Sequence, residues 1–179
     1  MPVYFITSHA YRSWSEDHRN GFVQRDEGLQ ESSKELAAWR AEHSEYEPAK
    51  FERDAQKLLL DVVEEIARER KVRLHGSSAT RTHVHKIISF RSPACTCGAS
   101  VDHCRRGCPG RDFAEQVITR MKRKMGQMVA KLNGTSGRPW FSRGWDLTAV
   151  RTRAHLEYLL KTYLPKHEKR EGGIVRIYD

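Results

Sequence analysis

His83 and His85, in Arg81-Thr82-His83-Val84-His85, stand one residue apart at the head of the apolar run Ile87-Ile88-Ser89-Phe90. Side chains on a strand alternate between its two faces, so both imidazoles project from one side while Val84 takes the other. Neutral imidazole is the commonest protein ligand for metal ions, which makes the pair a candidate metal clamp. Spacing alone is weak support: with 9 His in 179 residues, chance supplies a His-x-His roughly 0.4 times. The pair needs partners elsewhere in the chain.

One set of partners lies near the C-terminus, in Tyr158-Leu159-Leu160-Lys161-Thr162-Tyr163-Leu164-Pro165-Lys166-His167. Helical positions four apart share a face with roughly 6 Å between Cβ atoms. If the helix persists that far, a metal held by His167 would lie beside the Tyr163 hydroxyl. Tyr163 is also in phase with Leu156, Leu159 and Leu160, a stripe that reads as core. Pro165 disturbs the helix where the geometry matters, and Tyr158 is a second tyrosine on the same helix.

The four cysteines all fall between Cys95 and Cys108, as Cys95-x-Cys97 and Cys104-x3-Cys108, with His103 beside Cys104. Random placement crowds four cysteines this closely roughly two times in a thousand. In a cytosolic chain disulfides are disfavoured, and four thiolates suit a tetrahedral zinc with no open position, hence a structural site. Redox-active or merely buried thiols are the competing reading. Arg105, Arg106 and Arg111 interleave with these ligands and would let the loop touch a phosphate backbone.

Elements that could position these groups follow from periodicity. Val3 to Ser8 predicts a first strand, and residues 14–50 form a long polar excursion with a weak helix over Gln30 to Glu42. Lys50 to Arg70 carries Phe51, Ala55, Leu58, Val62 and Ile66 at three- and four-residue steps, the pattern of an amphipathic helix lying on a sheet. A short strand at Val72 to His75, a polar connection through Gly76-Ser77-Ser78 and the His83 strand then read as antiparallel neighbours. Asp112 caps a second long helix with Phe113, Val117, Met121, Met125, Met128 and Leu132 inward and Arg120, Lys122, Arg123, Lys124 and Lys131 outward. Pro139 to Ser142 predicts another strand, and Thr152 to Leu164 a third helix. Strands and helices in this order define an α+β class.

The chain carries 32 Lys and Arg against 23 Asp and Glu, a net charge of +9 and a pI near 9.6, with the excess concentrated after residue 105. That balance favours a polyanionic partner over a solvated basic surface alone. No stretch approaches a membrane span, and Met1-Pro2-Val3-Tyr4-Phe5 lacks the marks of a signal peptide, so the expected location is cytoplasmic, with no membrane partner. Residues 1–179 are expected to form one domain, with residues 91–110 as a Cys-rich zinc-knuckle insertion.

Taken together, Tyr4-Phe5-Ile6-Thr7 with Trp14, the His83-Val84-His85 strand and Tyr163-x3-His167 resemble the single-tyrosine HUH transposases. That family includes the insertion-sequence enzymes that move as single-stranded DNA and the REP-associated tyrosine transposases. Arg73-Leu74, Arg81-Thr82 and Arg151 are similar to the surroundings of those motifs, and the resemblance runs from about residue 3 to 173. Two features depart from it: the cysteine loop is an insertion, and His167 stands where Gln or Asn is more usual.

The resemblance implies a ferredoxin-like, RRM-like antiparallel sheet of about four to five strands with helices packed on it. It implies that His83, His85 and His167 hold one Mg²⁺ or Mn²⁺, and that Tyr163 attacks single-stranded DNA to form a 5′-phosphotyrosine. Expected contacts to that DNA, in places folded as a hairpin, are the interleaved aromatic and basic residues Tyr11, Arg12, Trp14, Arg81, Trp140, Arg143 and Lys122, Arg123, Lys124. A homodimer is compatible with the family. Rival readings are a zinc-stabilised nucleic-acid-binding relic without cleavage, a replication-initiator or mobilisation nickase, and a hydrolase of small phosphoesters. For the last, the paired His-x-Thr/Ser motifs of two-histidine phosphoesterases are absent.

Overall fold

The structure, a computed structural model, describes residues 3–24, 27–90 and 108–178. In chain order its strands are β1 (Val3–His9), β2 (Phe22–Gln24), β3 (Gly28–Gln30), β4 (Arg73–Ala79), β5 (His83–Ser89), β6 (Asp146–Ala149) and β7 (Ile174–Ile177). Five of them form one antiparallel sheet in the order β6-β1-β5-β4-β7, and β2 and β3 make a separate hairpin. The helices are α1 (Lys34–Glu42), α2 (Arg53–Glu69), α3 (Pro109–Leu132), α4 (Arg153–Tyr158) and α5 (Leu164–Glu171), with a π-helical turn at Leu159–Tyr163 between the last two. The α+β expectation is borne out, and no helix among the described residues is long and apolar enough to cross a membrane.

The sheet has apolar residues on both faces, and each face is covered by helices. Tyr4, Ile6, Val84 and Ile88 point to α2 and α3, which contribute Leu59, Val62, Val63, Ile66, Val117, Ile118, Met121 and Met125 to the main core. On the opposite face Ile87 meets Leu159 and Leu164, with Phe5, Leu160, Tyr163 and Val175 around them. Alternation along the strands therefore sends Val84 into the main core and His83 and His85 to the face covered by the C-terminal helix.

Several expectations need correction. The α2 stripe runs through Leu59 and Leu60 rather than Leu58, which is partly exposed. Helix α3 begins at Pro109 after Cys108, so Asp112 sits in its first turn instead of capping it; proline is suited to that first position because it has no N–H to leave unpaired. Leu132, placed inward from its spacing, is exposed.

Gly76-Ser77-Ser78 is not a connection but the middle of β4, which continues to Ala79 past a register shift between Leu74 and Gly76. Pro139 to Ser142 contributes only an isolated bridge between Phe141 and Ala10, and the sheet is extended instead by β6 and β7. The third helix does not stop at Leu164 but runs on to Glu171. Cys95, Cys97 and Cys104 lie outside the described residues; Cys108 is buried at the start of α3.

Candidate metal centre and nucleophile

Register places the site residues opposite one another. His9 pairs with His83, Thr7 with His85 and Phe5 with Ile87 across β1 and β5, so these six share one face. The helix from Arg153 to Glu171 lies over that face, and its path depends on Pro165. Lacking an N–H and crowding the preceding turn, Pro165 cannot continue a regular α ladder; the chain widens by one residue just before it, with the Leu164 N–H bonded back to the Leu159 carbonyl. Leu159 and Leu164 then both enter the core, and Tyr163 and His167 face the sheet together. Gly172, with φ of 61°, ends the helix. Gly173 donates to the His167 carbonyl, while Arg53 of α2 donates to the carbonyls of both glycines.

The result is a cluster. One side-chain nitrogen from each of His83, His85 and His167 lies within 4.8 Å of the others. The Tyr163 ring stands 5.4 Å from that of His85 and 5.0 Å from that of His167, with Phe5 edge-on at 5.4 Å. His83 Nε2 is 3.4 Å from His167 Nδ1.

Outer contacts hold the rings. Thr82 Oγ1 lies 2.9 Å from His83 Nδ1, Thr7 Oγ1 2.9 Å from His85 Nδ1, and Glu171 Oε1 3.0 Å from His167 Nδ1. His85 Nε2 and His167 Nε2 are buried without a hydrogen-bond partner. Burial, then the neighbouring His167 and His9, pushes His83 down to about 3; burial, then His83 and His167, holds His85 well below the ordinary histidine value. Both are therefore neutral near pH 7, and Nε2 of His85 has no hydrogen-bond partner. Buried nitrogens that lack partners normally cost about 1–3 kcal/mol each, and a bound cation would answer that cost, so the residues fit a metal ion.

Burial, Glu171 and Tyr158 raise the Tyr163 phenol above its usual 10.0. A phenolate there would need a cation beside it.

The cluster floors a cleft of about 490 Å³ that also takes in His9, Trp14, His18 and Asp146. His9 Nε2 is 2.9 Å from Asp146 Oδ2, an arrangement that lowers the Asp146 carboxyl by hydrogen bonding. A wider groove of about 950 Å³ shares His9, Trp14 and Asp146 with this cleft and is lined by Tyr11, Arg12, Tyr46 and Arg143. Trp14 is exposed, yet its indole is pinned by a bond from Nε1 to the Gly21 carbonyl and by His18 at 4.0 Å. Four of the sequence-predicted contacts, Tyr11, Arg12, Trp14 and Arg143, are thus brought together next to the cluster.

The others are placed differently. Arg81 is exposed and paired with Glu52 at 2.8 Å. Lys122, Arg123 and Lys124 lie on α3, across the sheet from the histidines. Lys122 donates to the Ser142 and Gly144 carbonyls, and Lys124 lies 3.7 Å from Glu65. Trp140 is buried against Phe51 and belongs to the core rather than to an exposed surface. Sequence reasoning missed Thr7, Glu171, His9 and Asp146. Glu171 stands four residues after His167 and was within reach of the same helical spacing that linked Tyr163 to His167.

No protein-family model matches the chain, and no curated protein matches it. Among solved structures the chain is similar to a REP-associated tyrosine transposase bound to a REP hairpin, at 10% identity over 96% of this chain and 68% of that one, TM-score 0.45. It is also similar to a presumed transposase from Deinococcus radiodurans R1, at 14% identity over 93% of this chain and 89% of that one, TM-score 0.39. At such identities nothing about individual residues carries over.

Proposed function

We propose that the chain is a transposase-type strand transferase that cleaves and rejoins single-stranded DNA through Tyr163, with a divalent metal held by His83, His85 and His167. The observation that carries this reading is the convergence of a tyrosine and three imidazoles from β5 and the C-terminal helix in one cleft. Adjacent to it, the aromatic and basic groove suits a single strand, whose bases stack on rings and whose phosphates meet arginines.

When bound, the metal would polarise the scissile phosphate and offset charge that develops on it. The protein supplies the rest. Thr7, Thr82 and Glu171 hold the imidazoles in orientation. Tyr163 Oη forms a bond to phosphorus as the bond from phosphorus to the 3′ oxygen breaks; the phenol gives up its proton and the departing oxygen gains one. The phosphotyrosine keeps the bond energy, so attack by another 3′ hydroxyl rejoins the strand without ATP.

The Cys95, Cys97, Cys104, Cys108 set is proposed as a separate structural zinc site; about one zinc per chain that survives loss of His83 is the expected metal analysis.

Incubation with labelled single-stranded DNA and a divalent metal should give a gel-stable protein adduct that Tyr163→Phe abolishes. His83→Ala and His85→Ala should lose the adduct yet keep salt-dependent DNA binding. Retention of the adduct in Tyr163→Phe would defeat the proposal.

A further inference from the structure

The class of ion follows from what surrounds it. In the cleft the ligand group among the described residues is three imidazoles with no carboxylate. Glu171, the nearest acid, is engaged by His167: its Oε1 lies 3.0 Å from His167 Nδ1, and its Oε2 3.7 Å from His83 Nε2. A carboxylate bonded to one ring nitrogen fixes the proton there and leaves the other nitrogen as the basic one. For His167 that other atom is Nε2, which is buried without a partner, as is Nε2 of His85. The Thr82 and Thr7 hydroxyls contact the Nδ1 atoms of His83 and His85, 2.9 Å away in each case, and hold those two rings in orientation.

Mg²⁺ is a hard ion that prefers oxygen ligands and gives up water reluctantly. Imidazole nitrogens suit zinc, cobalt, nickel and iron, and three histidines with an open position are a recurrent zinc arrangement. We infer that His83, His85 and His167 form a centre selective for a transition-metal dication of the zinc class over Mg²⁺, with Glu171 as the residue that positions His167. The inference rests on the reading of these histidines as one metal site.

Co²⁺ titration of the whole protein tests it, because nitrogen-ligated Co²⁺ absorbs in the visible and sulfur ligation adds a distinct charge-transfer band that marks the cysteine loop. The wild-type chain should show a nitrogen-type Co²⁺ signal that His83→Ala and His85→Ala both lack. Stoichiometric Zn²⁺ should displace it, and on the order of a hundredfold excess of Mg²⁺ should not. Glu171→Gln should weaken Co²⁺ binding by about 10–100-fold. His167→Gln, which exchanges a nitrogen donor for an amide oxygen, should let Mg²⁺ compete.

Displacement of Co²⁺ from the wild-type protein by Mg²⁺ would overturn the inference, and this arm needs no variant to fold. A nitrogen-type signal unchanged in both His83→Ala and His85→Ala would overturn it too. The titration uses no DNA. Intact Co²⁺ selectivity without a tyrosine adduct would remove the strand-transfer reading and leave the ion class standing; an adduct together with Mg²⁺ displacement would do the reverse.

Discussion

Leu160, in the π-helical turn, rests directly on Gly76 of β4: a β-carbon at Gly76 would stand 2.7 Å from Leu160 Cδ2 and 2.9 Å from Leu164 Cδ1. The missing side chain lets the helix that carries Tyr163 and His167 approach the sheet closely enough to meet His83 and His85. Gly76→Ala is expected to cost about 1–3 kcal/mol through overpacking and to lower adduct formation while leaving DNA binding in place. Denaturant unfolding beside a cleavage assay checks both parts; wild-type cleavage in the variant would show that the helix position is not limiting.

Lys86 is fully buried on the face opposite the histidines, with Nζ donating to Ser8 Oγ at 2.7 Å. Burial, with a smaller contribution from Lys122, lowers it from 10.5 to about 7. Between those values the unfolded chain binds a proton that the folded chain does not, so stability should rise with pH from about 7 to 10.5 and be flat in this respect below 7. Lys86→Met should flatten the rise. Urea midpoints at about pH 7 and about pH 10 measure it.

The groove beside the cleft predicts a division among the basic and aromatic residues. Trp14→Ala should cost about 1–3 kcal/mol in single-strand affinity through lost stacking. Arg143→Ala should reduce the salt slope of binding by about 1. Lys122→Met should change stability more than the slope, because its ammonium is engaged by the Ser142 and Gly144 carbonyls. Affinity across a salt series separates these outcomes.

Much of the scaffold was legible because burial imposes a period. α2 and α3 announce themselves through apolar residues at helical steps, and β5 through a run whose alternation sets His83 and His85 on one face. The short edge strands were not: Asp146-Leu147-Thr148-Ala149 has a weak strand preference and takes its place only by pairing with β1. Gly76-Ser77-Ser78 reads locally as a turn, and only its contact with the C-terminal helix shows why a glycine belongs inside a strand. Within the site, Tyr163 and His167 could be paired from spacing, although Pro165 obscured the result. A π-helical turn absorbs the proline, and no pattern of apolar residues encodes that. Thr7 and Asp146 come near the histidines only through strand register, which a linear reading does not supply.

Protease digestion of the protein joined to single-stranded DNA, followed by mass spectrometry of the nucleotide-bearing peptide, tests the central claim most directly. A 5′-phosphate linked to Tyr163 is the predicted result. Linkage to Tyr158, whose ring is exposed and 6.4 Å from that of Tyr163, or cleavage that leaves no nucleotide on the protein, would contradict it.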